Sequence, residues 1–76
     1  MSSAPRYTLA FLTNEWEWKE DLDVDDFDAA KAATRAALER VVREEAPELA
    51  CVTLMEGDVR IGVWDWVLDR PYWTPL

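Results

Sequence analysis

Residues 49–69 read LACVTLMEGDVRIGVWDWVLD. Two apolar-rich runs, Leu49 to Glu56 and Val59 to Asp69, flank Gly57-Asp58. Glycine at the first central position suits a two-residue type II′ turn, so the stretch predicts a β-hairpin. In that register Glu56 faces Val59 and Val52 faces Val63. One face then holds Ala50, Val52, Leu54, Ile61, Val63 and Val67. The other holds Leu49, Cys51, Thr53, Met55, Trp64 and Trp66. The assignment depends on the turn, because a slip of one residue exchanges the two faces of a strand.

Upstream of the hairpin lies a helix. Asp25 or Asp26 is a suitable N-cap, and Asp28 sits in the first turn, where the helix dipole favours negative charge. Phe27, Ala30, Thr34, Ala37, Leu38, Val41 and Val42 recur at helical spacing as one apolar stripe. Glu39 and Arg43 form an i,i+4 pair in the favoured order. Pro47 ends the helix by residue 46. About twenty residues at about 1.5 Å each give a rod about 30 Å long.

Before the helix, Arg6 to Thr13 reads as a strand with two largely apolar faces: Tyr7, Leu9 and Phe11 against Thr8, Ala10 and Leu12. Asn14 offers a turn or a bulge. Trp16 and Trp18 then alternate with Glu15, Glu17 and Lys19, either as a second short strand or as an extension of the first. After the hairpin, Pro71 and Pro75 exclude Arg70 to Leu76 from a helix or a central strand. Its Tyr72, Trp73 and Leu76 predict that it packs onto the body.

The expected fold is α+β: β-α-β-β, one long helix packed on a small antiparallel sheet, with the first strand beside the last. The helix covers one face. The other would expose Trp64, Trp66 and the Trp16–Trp18 pair, to be covered by the C-terminal segment, a dimer partner or a target protein. The 76 residues make a single domain, 1–76. Half are hydrophobic and five are Trp, which argues against disorder.

The charge is unevenly spread. Between Asn14 and Asp28 lie eight acids, Glu15, Glu17, Glu20, Asp21, Asp23, Asp25, Asp26 and Asp28, against Lys19 alone, a net charge of −7. The whole chain carries −8, so the remainder sums to −1. Capping accounts for Asp25, Asp26 and Asp28. It does not account for Glu15, Glu17, Glu20, Asp21 and Asp23, whose repulsion weakens a small domain. In an extended segment Asp21, Asp23 and Asp25 would form a row of charges about 6.6 Å apart. Trp16 and Trp18 would stand beside them as anchors, the mixture common at protein interfaces. The candidate partner-binding residues are therefore Glu15, Trp16, Glu17, Trp18, Glu20, Asp21, Asp23, Asp25, Asp26 and Asp28.

Catalytic chemistry finds few materials. There is no histidine, and Gly57 and Gly62 are the only glycines, so a phosphate-cradling loop is excluded. Cys51, the single cysteine, has no histidine to activate it and reads as strand packing. Asp21, Asp23 and Asp25 match the first three ligand positions of a calcium loop, but Asp26 stands where its glycine belongs and Ala32 where its glutamate belongs. No enzymatic activity, metal or cofactor is expected. Acidity disfavours direct contact with nucleic acid or anionic membranes. No apolar run is long enough for a membrane span, and Met1 to Pro5 lacks the start of a signal peptide. The reading is cytoplasmic.

In size, acidity and the Glu/Asp-rich segment from Glu15 to Asp28, the chain resembles phage-encoded anti-CRISPR proteins. The likeness is one of character, since those proteins share no common motif. It implies a non-enzymatic inhibitor, monomer or homodimer in a bacterial host cell. Its carboxylates would act as a nucleic-acid mimic in the basic groove of a CRISPR surveillance complex or a similar target. A second resemblance, to the flavin-binding dodecins, rests on the β-α-β-β order and a functional Trp. It implies an oligomer that binds flavin on a Trp-rich sheet face. An antitoxin-like module that pairs with one basic protein has the same surface requirement as the inhibitor.

Overall fold

A computed structural model describes residues 6–76, so the reading of Met1 to Pro5 lies outside the described residues. The elements run β1 (Tyr7–Thr13), β2 (Glu17–Leu22), α1 (Phe27–Glu45), β3 (Ala50–Glu56), β4 (Val59–Val67) and β5 (Arg70–Pro75). The described fold is α+β, one helix on a five-stranded antiparallel sheet of order β2-β1-β3-β4-β5. This corrects the expected β-α-β-β order at both ends of the chain.

The first addition comes from the turn at Asn14. Thr13 Oγ1 accepts the N–H groups of Glu15 (3.2 Å) and Trp16 (2.9 Å), and Thr13 N–H donates to the Trp16 carbonyl (2.8 Å). The chain reverses, and β2 pairs back along β1 from Leu12–Glu17 to Tyr7–Leu22. Asn14 Oδ1 also accepts from Glu48 N–H at 3.1 Å, which ties this turn to the loop after the helix. The second addition is β5. Instead of folding over a sheet face, the Pro-containing segment extends the sheet as an edge strand, where a missing N–H is tolerated. Nor does β1 lie beside the last strand. It sits between β2 and β3.

The hairpin forms as expected at its turn. Glu56 faces Val59, and Gly57 takes the positive φ of 60° that the first position of a II′ turn requires. Beyond the turn a bulge between Leu54 and Met55 shifts the register by one residue. Val52 therefore faces Trp64, and Val63 faces Thr53. The two faces of β4 are exchanged: Gly62 and Trp64 join Val52 and Leu54 under the helix, while Val63 turns away. Trp64 is buried, and its indole N–H donates to the Lys31 carbonyl at 3.0 Å.

One row of neighbours crosses all five strands on the helix side: Trp18, Phe11, Val52, Trp64 and Trp73. Trp18 stacks on Phe11 with ring centroids 4.8 Å apart, and Trp64 and Trp73 meet at 5.4 Å. Ala30, Thr34, Ala37, Leu38 and Val41 close over this row from α1. Phe27, placed on the same stripe by its spacing, is instead exposed at the helix start and touches the edge of Trp73. Asp26 is the N-cap, accepting from Ala29 N–H at 3.1 Å, and Ala46 ends the helix in the left-handed region. The expected Glu39–Arg43 pair is replaced by Arg35–Glu39, also i,i+4, at 3.0 Å.

Candidate functional site

The acidic segment becomes a border of the molecule. It starts in the β1–β2 turn, runs the length of the edge strand β2, and continues through residues 23–26 to the helix start. All eight of its acids are exposed. The six residues of β2 span about 17 Å at about 3.3 Å each.

Within this border the ten predicted residues separate by role. Glu15 and Trp16 occupy the turn, and the Trp16 ring is 62% exposed. Along β2 the pleat directs Glu17 and Asp21 to the sheet face away from the helix, and Trp18 and Glu20 towards it. Trp18 is therefore a partly buried packing residue stacked on Phe11, which removes it as a free anchor. Glu20 is engaged twice: it accepts the Trp18 indole N–H at 3.1 Å and pairs with Arg40 of the helix at 3.4 Å. Asp26 is occupied as the N-cap. Asp23 and Asp25 lie in the loop, and Asp28 in the first helical turn, all exposed. The row expected from Asp21 to Asp25 is broken, since β2 ends at Leu22.

Arg6 fixes the far end of the border. Its Nη1 donates to the Asp25 carbonyl at 2.8 Å, and its Nε pairs with Glu56 at 2.6 Å. The Asp25 carboxylate is not used in this contact. Among the described residues no three acidic or cysteine side chains gather as a metal group, so the three aspartates that matched a calcium loop are not brought together as one.

The fold adds acids that sequence separation concealed. Glu45 and Glu48 join Glu15 around a cleft of about 260 Å³ floored by Thr13 and Asn14. A signal for Glu45 existed: with Glu44 it sits in the last helical turn, where the dipole favours cations. On the other side the border meets Arg40 and Arg43 across a second cleft between β2 and α1.

Cys51 lies on the sheet face away from the helix, opposite Asp65. Burial, and then the charge of Asp65, raise its thiol pKa above the ordinary value. The thiol is thus held in its unreactive form at neutral pH. None of the described residues on that face is a tryptophan, since Trp64, Trp66, Trp73 and Trp18 all pack against the core. The observation that suggested a flavin platform is therefore gone.

No protein-family model, no curated protein and no solved structure matches this chain.

Proposed function

We propose that the chain is a non-enzymatic inhibitor of the anti-CRISPR kind, whose acidic border occupies the basic nucleic-acid groove of a surveillance complex or a similar target. The observation that carries this reading is the −7 segment, its eight acids all exposed and laid along one edge of the sheet. Glu15, Asp23, Asp25 and Asp28 have no ion-pair partner among the described residues. A single DNA strand presents one charge per about 3.4 Å. The border is sparser, and a groove lined with Lys and Arg still gains from it by long-range steering. Trp16, exposed at the end of the border, supplies an apolar anchor beside the charge.

The test uses carboxylates that make no hydrogen bond or ion pair among the described residues. Replacing Glu15, Asp23 and Asp25 together by Lys takes the segment from −7 to −1 and leaves Glu20, Asp26 and the sheet faces untouched. This variant should fold normally by circular dichroism and lose inhibition of target-DNA binding by at least tenfold. Full inhibition by the folded triple variant would sink the proposal.

A further inference from the structure

The second sheet face has no cover among the described residues. A solvated antiparallel face alternates with polar residues. Here the outward positions of the three central strands hold Thr8, Ala10 and Leu12, then Cys51, Thr53 and Met55, then Arg60, Val63, Asp65 and Val67, so the apolar side chains Ala10, Leu12, Cys51, Met55, Val63 and Val67 outnumber the polar ones. Leu12, Val67 and Tyr72 are three of the large exposed apolar side chains of the molecule, register places all three on this face, and exposed Leu49 immediately precedes β3 at the same end. They gather at the end of the sheet near the Asn14 turn. Tyr72 is 56% exposed.

The face also differs in charge from the rest of the chain. Its ionised residues are Glu17, Lys19 and Asp21 on β2, Arg60 and Asp65 on β4, and Arg70 on β5. Three are negative and three positive, so the face is neutral in a chain that carries −8. The β2 side sums to −1 and the β4–β5 side to +1. This is the surface on which two copies repel least.

We propose that this face is a homodimer interface, two copies stacking their uncovered sheets as a β-sandwich about a two-fold axis parallel to β3. Charge selects the axis. An axis along the strands lays β2 of one copy over β5 of its partner, negative flank on positive. An axis across the strands lays β2 on β2 and sets acid against acid. Sheets that pack this way keep their strands within about 30° of each other. Five strands about 4.8 Å apart and about seven residues long cover roughly 550 Å² of plane. Side-chain relief brings that close to the roughly 800 Å² per partner of a standard interface. Thr53 and Cys51, on the central strand, then lie beside the axis.

The expected result is a light-scattering mass twice the 8.8 kDa of one chain at micromolar concentration, tightening as salt screens the net repulsion. Alkylation of Cys51 by iodoacetamide, run at alkaline pH where the thiolate forms, should slow as protein concentration rises. Thr53→Arg sets two like charges at the axis and should give a folded monomer whose Cys51 reacts at one rate at every concentration. Should Thr53→Arg fail to fold, Tyr72→Lys, on an exposed edge-strand position, should weaken the dimer at least tenfold. Val59→Lys, exposed at the II′ hairpin, should leave it unchanged. A wild-type monomer at every concentration overturns the proposal, as does a dimer that withstands the face substitutions. The opposite response to salt separates this interface from groove binding, which salt weakens.

Discussion

Gly62 shows how closely the aromatic row is fitted. The residue lies in the middle of β4, where glycine ordinarily weakens a strand. A Cβ built there would run into the Trp73 ring. The missing side chain is what lets that indole lie across β4 against Trp64, with Lys31 Nζ 4.9 Å from its centroid. Gly62→Ala should cost about 1–3 kcal/mol through overpacking, read as a lower urea midpoint with unchanged slope. Cys51 offers a second test at this scale. Its folded thiol titrates above the ordinary value because of burial and Asp65. Below about pH 8.5 the thiol is protonated in both states and the contribution is intact. As pH rises through the folded value, the unfolded chain has already ionised and stability is lost. The stability difference between wild type and Cys51→Ala should therefore shrink above about pH 8.5 and stay flat below it. A difference that is constant across the alkaline range contradicts the assignment.

At the scale of elements, the two sheet edges are protected by different means. Pro71 and Pro75 interrupt the donors of β5, and the charges of β2 discourage edge-to-edge pairing. Glu17 and Asp21 thus have a structural use on the edge, which is why the triple Lys variant leaves them in place and changes Glu15, Asp23 and Asp25 beyond its ends. The β4–β5 turn is less settled. Leu68 and Asp69 both take positive φ, 51° and 65°, as a type I′ turn demands, and Leu68 is 88% exposed. Asn-Gly is the natural pair for that geometry. Replacing Leu68 by Asn and Asp69 by Gly should stabilise by about 1 kcal/mol, raising Tm by about 4–8 °C. The same turn explains a limit of sequence reading. Gly57-Asp58 announced its hairpin, whereas Leu68-Asp69 has no glycine and only Asp69 as a turn former, so β5 read as a tail. The bulge at Leu54–Met55 was equally silent, and it moved Trp64 and Trp66 from the open face into the core. The helix, its Asp26 cap and its buried stripe were legible because periodicity and capping are local. Which acids were free was not, because Glu20 meets Arg40 only through the packing of β2 on α1.

For the whole molecule, fold and charge divide the surface. The helix and the aromatic row close one side of the sheet, a face of balanced charge with an apolar patch near the Asn14 turn forms the other, and the acids collect along one border. In a stacked dimer the two borders would lie on opposite flanks, both exposed, each able to enter a basic groove. In the proposed role this border takes the place of nucleic acid. The most direct measurement of that role is displacement of a fluorescent target duplex from guide-RNA-loaded surveillance complexes by the intact protein over a range of salt. The wild type should displace the duplex stoichiometrically, weakening steeply as salt rises, and the Glu15, Asp23 and Asp25 triple Lys variant should displace none. Binding that leaves the duplex in place, or no displacement from any such complex, would contradict that role.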